Sequence, residues 1–122
     1  MTSEEYQKKA HSFSDYAKPI FYEETGNQVI TNSVDYAYPA LALAEEAGEV
    51  AGKFAKAIRD ENCRISTERK IEIKKELGDV MWFVAELSTL LGFNLEEIMQ
   101  GNIDKLESRK RRGVIHGSGD NR

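Results

Sequence analysis

Both prolines of this chain, Pro19 and Pro39, fall in its first third, and beyond Pro39 only single glycines interrupt a run of helix-compatible residues. Proline removes a backbone donor and collides with the preceding turn, so its absence from residues 40–122 leaves long helices open to the chain. The apolar spacing takes them up. Pro39, a favoured first-turn residue, opens a helix running to about Glu61, with Leu43, Ala47, Val50, Phe54, Ala57 and Ile58 as its stripe. The next helix begins near Ser66 or Thr67 and runs to Gly92, a natural stop, with Ile73, Leu77, Val80, Val84, Leu87 and Leu91 expected on its buried side. Asn94, with Glu97 three residues on, starts a last helix through Leu95, Ile98, Met99 and Leu106 to Gly113. Ahead of these, Thr2 or Ser3 can cap a short helix, Glu5 completes a capping box, and Tyr6, Ala10, Phe13 and Ala17 share a face.

The pieces ETGNQ and TNS make residues 18–38 an irregular excursion, and the glycines of residues 113–122 exclude a helical tail. No segment alternates as a half-buried strand does, and no repeat appears. The expectation is an all-α fold: one domain over residues 1–122, an antiparallel helical bundle whose wide apolar stripes are covered by homodimerisation. The chain is 40% hydrophobic and 31% charged, a balance that excludes disorder and membrane embedding. No apolar run approaches the roughly 20 residues that span a bilayer, and the polar start MTSEEYQKKA lacks a signal-peptide core, which predicts a cytoplasmic protein. With Cys63 as the only cysteine, neither an intrachain disulfide nor a thiolate cluster can form. The net charge of −4 argues against a general nucleic-acid coat, although Arg109, Lys110, Arg111 and Arg112 are locally basic.

Each long helix carries acids three apart: Glu45, Glu46 and Glu49 on one, Glu76 and Asp79 on the other. Residues at that spacing are surface neighbours. Glu76 lies beside the Ile73/Val80/Leu87 stripe and Asp79 further round, while Glu46 and Glu49 border the Leu43/Val50/Phe54 stripe. Packing the helices side by side therefore gathers four carboxylates, which repel unless a cation sits between them. An oxygen-only ligand set suits Mg²⁺, Mn²⁺ or Ca²⁺, whereas zinc calls for His or Cys. A di-iron bundle needs Glu-x-x-His motifs, and neither His11 nor His116 has that context. Most E-x-x-E spacings merely solvate a helix face, so the acids alone do not decide the matter.

The last helix adds weight, because Asn102 falls within its apolar stripe, where an amide needs a partner. Lys105 and Arg109 lie on or beside the same face, an Asn-x-x-Lys-x-x-x-Arg column suited to phosphate oxygens. Lys53 and Lys56 continue the strip of Glu46 and Glu49, where surface solvation explains them equally well.

The segment ALAEEAGEVAGKFAKAIRD followed by KKELGDVMWFVAELSTLLGFNLEEIMQGNIDKLESRKRRG resembles the MazG-like nucleotide pyrophosphohydrolases of the all-α NTP pyrophosphatase superfamily. Their pattern, EExxE, a spacer, then ExxD, is met by Glu45, Glu46, Glu49, Glu76 and Asp79, and the resemblance extends over nearly the whole chain. It implies an all-α dimer, or a dimer of dimers, in which Glu46, Glu49, Glu76 and Asp79 hold Mg²⁺ on a triphosphate. It further implies that Glu45 positions or activates water, and that Lys53, Lys56, Asn102, Lys105 and Arg109 contact phosphates or base.

The expected reaction is Mg²⁺-dependent hydrolysis of a nucleoside or deoxynucleoside triphosphate to the monophosphate and pyrophosphate, a housekeeping step for the nucleotide pool, with Mn²⁺ able to substitute. Water attacks the α-phosphorus, and cationic side chains steady the charge that builds. Tyr36, Tyr38, Trp82 and Phe83 are candidates to meet the base, although helical aromatics more often pack a core. The competing expectation is a helical nucleic-acid-binding or regulatory module without turnover, built on the SRKRR stretch. Cations there also simply suit a helix C-terminus.

Overall fold

A computed structural model describes residues 1–16, 21–22, 25–26, 28–29 and 34–122. Four helices carry the fold: α1 (Ser3–His11), α2 (Val34–Asp60), α3 (Thr67–Leu90) and α4 (Leu95–Arg111). Between α1 and α2, two residue pairs form a minimal antiparallel ladder, β1 (Phe21–Tyr22) and β2 (Gln28–Val29), with Phe21 opposite Val29 and Tyr22 opposite Gln28. That ladder was not expected in the excursion, the rest of which, with Ala17, lies mostly outside the described residues. Its two-residue strands are too short to change the helical class.

Local chemistry sets most helix ends. Thr2 accepts from the Glu5 amide while the Glu5 carboxylate accepts from the Thr2 amide, a reciprocal cap that satisfies two otherwise orphaned donors. The Ser66 side chain accepts from Arg69 N, and that of Asn94 from Glu96 N rather than from Glu97. After α3 and α4 the chain turns through Gly92 (φ +74°) and Gly113 (φ +71°), left-handed positions that a Cβ would strain.

Two boundaries differ from expectation. Helix α1 ends at His11, so Phe13 lies past it and is exposed rather than on its buried face. Helix α2 begins at Val34, five residues before Pro39, which sits inside it. Only one backbone hydrogen bond is lost so near the start of a 27-residue helix, and the Pro39 ring is fully buried, which offsets that loss.

Helices α2 and α3 form the main packed pair, while α1 lies across α3 and the start of α4. Ala10, Ala85 and Leu95 make the buried cluster at that crossing, with Tyr6, Trp82 and Val84 packed around it. Gln7 fastens α1 there, its amide donating to Phe93 O at 2.8 Å and accepting from Leu95 N at 2.9 Å. The buried face of α3 is Phe83, Ala85, Glu86 and Ser88. Leu77 and Leu91, expected inside, are exposed, because α1 approaches from the side of Trp82 and Ala85. Phe54 and Ile58 on α2, Met81 on α3, and Ile98, Met99, Ile103 and Leu106 on α4 are likewise exposed in the single chain. Among the described residues, no helix is long and apolar enough to cross a membrane.

Candidate active site

The connection between α2 and α3 returns the chain antiparallel to itself and so sets the acids in register. Asn62 (φ 52°) and Cys63 (φ 61°) take the left-handed conformation, and Cys63 N bonds Ala57 O at 3.1 Å, closing the end of α2. Arg69, in the first turn of α3, pairs with Glu61 and Glu72 and holds the corner. Halfway along the pair, Glu46 of α2 meets Glu76 and Asp79 of α3, with one carboxylate oxygen from each lying within 4.8 Å of the other two.

Three converging carboxylates create a demand for positive charge. Burial, then Asp79, Glu76, Glu45 and Glu49 in that order, push the Glu46 carboxyl above its ordinary range. Lys53, about one turn beyond Glu49, answers part of the demand, its Nζ standing 3.1 Å from Glu76 Oε1 with both side chains largely buried. Tyr6 of α1 also approaches, its phenol pushed up by burial and by the Asp79 charge. An oxygen-only donor set, mutually repelling and half sheltered, fits a hard divalent cation, which Glu46, Glu76 and Asp79 could hold.

The other residues singled out from sequence are placed less uniformly. Glu49 is exposed and stands outside the tight trio, close enough to act on Glu46 through its charge; Glu45 is exposed beside Glu46. Lys56 is exposed, and its charge acts on Asp60, away from the trio. Trp82 Nε1 donates to Ala10 O at 3.0 Å, so its indole ties α3 to α1. Phe83 is buried edge-on to Trp82, with centroids 4.7 Å apart, and 6.2 Å from Tyr38; Tyr36 is half-buried.

On α4, Asn102 is exposed with the apolar stripe around it. Arg109 is buried, its Nη2 donating to Asp120 O at 2.9 Å and Gly119 O at 3.3 Å, with Asp120 Oδ1 at 3.5 Å; Lys105 Nζ lies 3.8 Å from the same carboxylate. Lys105 and Arg109 thus pair with Asp120 of the C-terminal tail rather than with the acids of the trio, and α4 packs on α1 and α3.

A second cluster was not anticipated. Glu86 is fully buried, with Tyr16 Oη donating to Oε1 at 2.7 Å and His11 Nδ1 standing 2.9 Å from Oε2. Burial pushes the Glu86 carboxyl up, but hydrogen bonds from Ser14, His11 and Tyr16 more than offset it and hold it below its usual value. The one available signal was a lone carboxylate inside the apolar run Val84, Ala85, Glu86, Leu87.

Helices paired to gather acids define a class of all-α proteins with a cation-ready seam, and the wider sequence narrows it. The chain belongs to the MazG nucleotide pyrophosphohydrolase domain family, whose pattern matches residues 38–114 and takes in the acid trio. It is similar to the Gene 37 protein of Mycobacterium phage L5, 49% identical over 85 residues that make up 70% of this chain and 75% of that protein. It is also similar to the uncharacterized protein YvdC of Bacillus subtilis (strain 168), 36% identical over 76 residues, 55% of this chain and 68% of that one. No solved structure matches it. The family makes it a hydrolase of the nucleotide pyrophosphohydrolase kind.

Proposed function

We propose that this protein hydrolyses nucleoside or deoxynucleoside triphosphates to the monophosphate and pyrophosphate with Mg²⁺, in cytoplasmic nucleotide-pool housekeeping. The observation that carries this reading is the convergence of Glu46, Glu76 and Asp79 within 4.8 Å, in a chain of this family. Bound Mg²⁺, or Mn²⁺ in its place, would neutralise triphosphate charge and polarise the phosphoryl oxygens. The trio would hold it, with Glu49 closing in from the next turn of α2.

The chain's own residues supply the rest. Glu45, exposed beside Glu46, orients a water in line with the α-phosphorus and accepts its proton. The bond from the α-phosphorus to the oxygen bridging the β-phosphate breaks, and pyrophosphate leaves. Lys53, already at the edge of the trio on Glu76, steadies the charge on the departing phosphates, with Lys56 further along the strip. Phe83, Trp82 and Tyr38 are the candidates to meet the nucleoside, with Phe83 edge-on to both of the other rings.

Chromatography of a reaction with α-labelled substrate tests the bond cleaved. Labelled monophosphate with pyrophosphate is expected, and labelled diphosphate would sink the reading. Retention on nucleic acid with no pyrophosphate release would favour the binding-module alternative.

The working unit is proposed to be a homodimer or a dimer of dimers. The exposed apolar side chains of α2, α3 and α4 support this, since Phe54, Ile58, Met81, Ile98, Met99 and Ile103 leave the single chain with much uncovered apolar surface. The same assembly is the route by which Asn102, Lys105 and Arg109 would meet phosphates, because within one chain Lys105 and Arg109 pair with the C-terminal tail. Light scattering at micromolar concentration is expected to give at least twice the 13.8 kDa chain mass. An active monomer contradicts the proposal.

A further inference from the structure

Seven residues separate Asp79 from Glu86 on α3, which is two turns, about 10 Å along the axis and almost the same face. That is the reach from the α-phosphate of a nucleotide to the far edge of its base. Ring contacts connect the stretch between them to the far end: Phe83 lies 6.2 Å from Tyr38, and Tyr38 lies 4.9 Å from Tyr16. At the far end a cavity of about 380 Å³ is lined by His11, Ser14, Tyr16, Glu86 and Leu90, a volume within the range of small-molecule sites. A buried carboxylate there is a costly choice for packing alone, since an amide or a leucine would fill similar space with less desolvation.

We infer that this cavity receives the nucleobase and selects one with an exocyclic amino group, cytosine, adenine or guanine, over uracil and thymine. The inference rests on the proposed hydrolysis for the direction in which the nucleotide lies. Selection follows from where the protons go. An ionised carboxylate only accepts hydrogen bonds. Hydrogen bonds keep the Glu86 carboxyl below its usual range despite its burial, so it is ionised near neutral pH. It takes the proton of Tyr16 Oη at 2.7 Å and that of His11 Nδ1 at 2.9 Å, and the Ser14 hydroxyl bonds it as well. What remains for a ligand is lone-pair capacity on the Tyr16 and Ser14 oxygens, which also contact each other, with Ser14 Oγ 3.5 Å from His11 Nδ1. An acceptor-lined pocket pairs with an amino group, whereas the O4 carbonyl of uracil or thymine meets it lone pair to lone pair. Glu86 is therefore a positioning residue, fixing the polarity of side chains that touch the base.

The test is kcat/KM for the full set of ribo- and deoxyribonucleoside triphosphates with Mg²⁺ at pH 8, on the intact protein, its Tyr16→Phe variant and its Glu86→Gln variant. Amino-bearing substrates are expected to lead uridine and thymidine nucleotides by roughly tenfold or more, mainly through KM. Tyr16→Phe, which keeps the ring and removes the oxygen, should cut that ratio to about threefold or less. So should Glu86→Gln, whose amide donates as well as accepts; if it does not fold, Tyr16→Phe and the unmodified protein decide. Even turnover of all bases, or a ratio untouched by Tyr16→Phe, overturns the inference and leaves Glu86 a tether for residues 11–16. Calorimetry with non-hydrolysable α,β-imido analogues separates the two readings. A base preference in binding without turnover overturns the proposed reaction alone, turnover without preference overturns this inference alone, and no binding of any analogue overturns both.

Discussion

Asp79→Asn is expected to abolish measurable turnover at saturating Mg²⁺, a loss of roughly a thousandfold or more in kcat, with helix content unchanged. Asp79 is one of three carboxylates within 4.8 Å, and neutralising it removes a ligand without changing side-chain volume. Glu49→Gln is expected to act in the same direction. The cation-free protein should melt no earlier than the unmodified one, because Asp79 leads the charged neighbours that push the Glu46 carboxyl up. Millimolar Mg²⁺ should raise the melting temperature of the unmodified protein by a few degrees and that of the variant by less, since a ligand at a hundred times its Kd contributes about 2.7 kcal/mol. Wild-type activity in both variants would exclude the trio as a metal centre.

The largest expected effect on stability lies at the other cluster. Truncating Glu86 to Ala strands the Tyr16 hydroxyl and the His11 N–H and opens a void, a cost of about 2–4 kcal/mol and roughly 10 °C in Tm. Loss of less than about 2 °C by calorimetry would show that the network contributes nothing to folding. The same residue sets a pH dependence. Its folded carboxyl is held below the ordinary 4.5, so it stabilises the fold above that pH, and the contribution is lost as pH falls from there through the folded value. Glu86→Gln should flatten this acid limb of the stability curve. An acid limb of unchanged slope in the variant would assign the loss to other groups.

What sequence made legible was what local chemistry decides. Thr2 with Glu5, Ser66 and Asn94 cap helices where their side chains allow, and Gly92 and Gly113 end them because left-handed backbone favours glycine. The acids were legible because three-residue spacing fixes them on one side of each helix, and a short reversal leaves α2 and α3 little choice but to pack together. Which face of α3 is buried was not, because its apolar residues run most of the way round and the docking of α1 through Trp82 and Ala10 chooses among them. The Glu86 network joins residues 70 and 75 positions apart, and no local pattern announces a partner at that distance. The start of α2 before Pro39 was missed for a related reason, since burial of the ring outweighs a local rule about proline.

That division of labour between near and far contacts bears on how the molecule assembles. The acid trio joins α2 to α3, neighbours in the chain linked by six residues, so bringing its two sides together closes a short loop at modest entropic cost. The Gln7, His11 and Tyr16 contacts to α3 and the start of α4 instead close loops of 70 to 88 residues. Topology therefore favours the α2–α3 hairpin as an early folding unit and the N-terminal helix as a late arrival. Repulsion among the acids opposes that early step, and Lys53 on Glu76, supplied by the same hairpin, lets the charge-dense half of the molecule close before any ion reaches it.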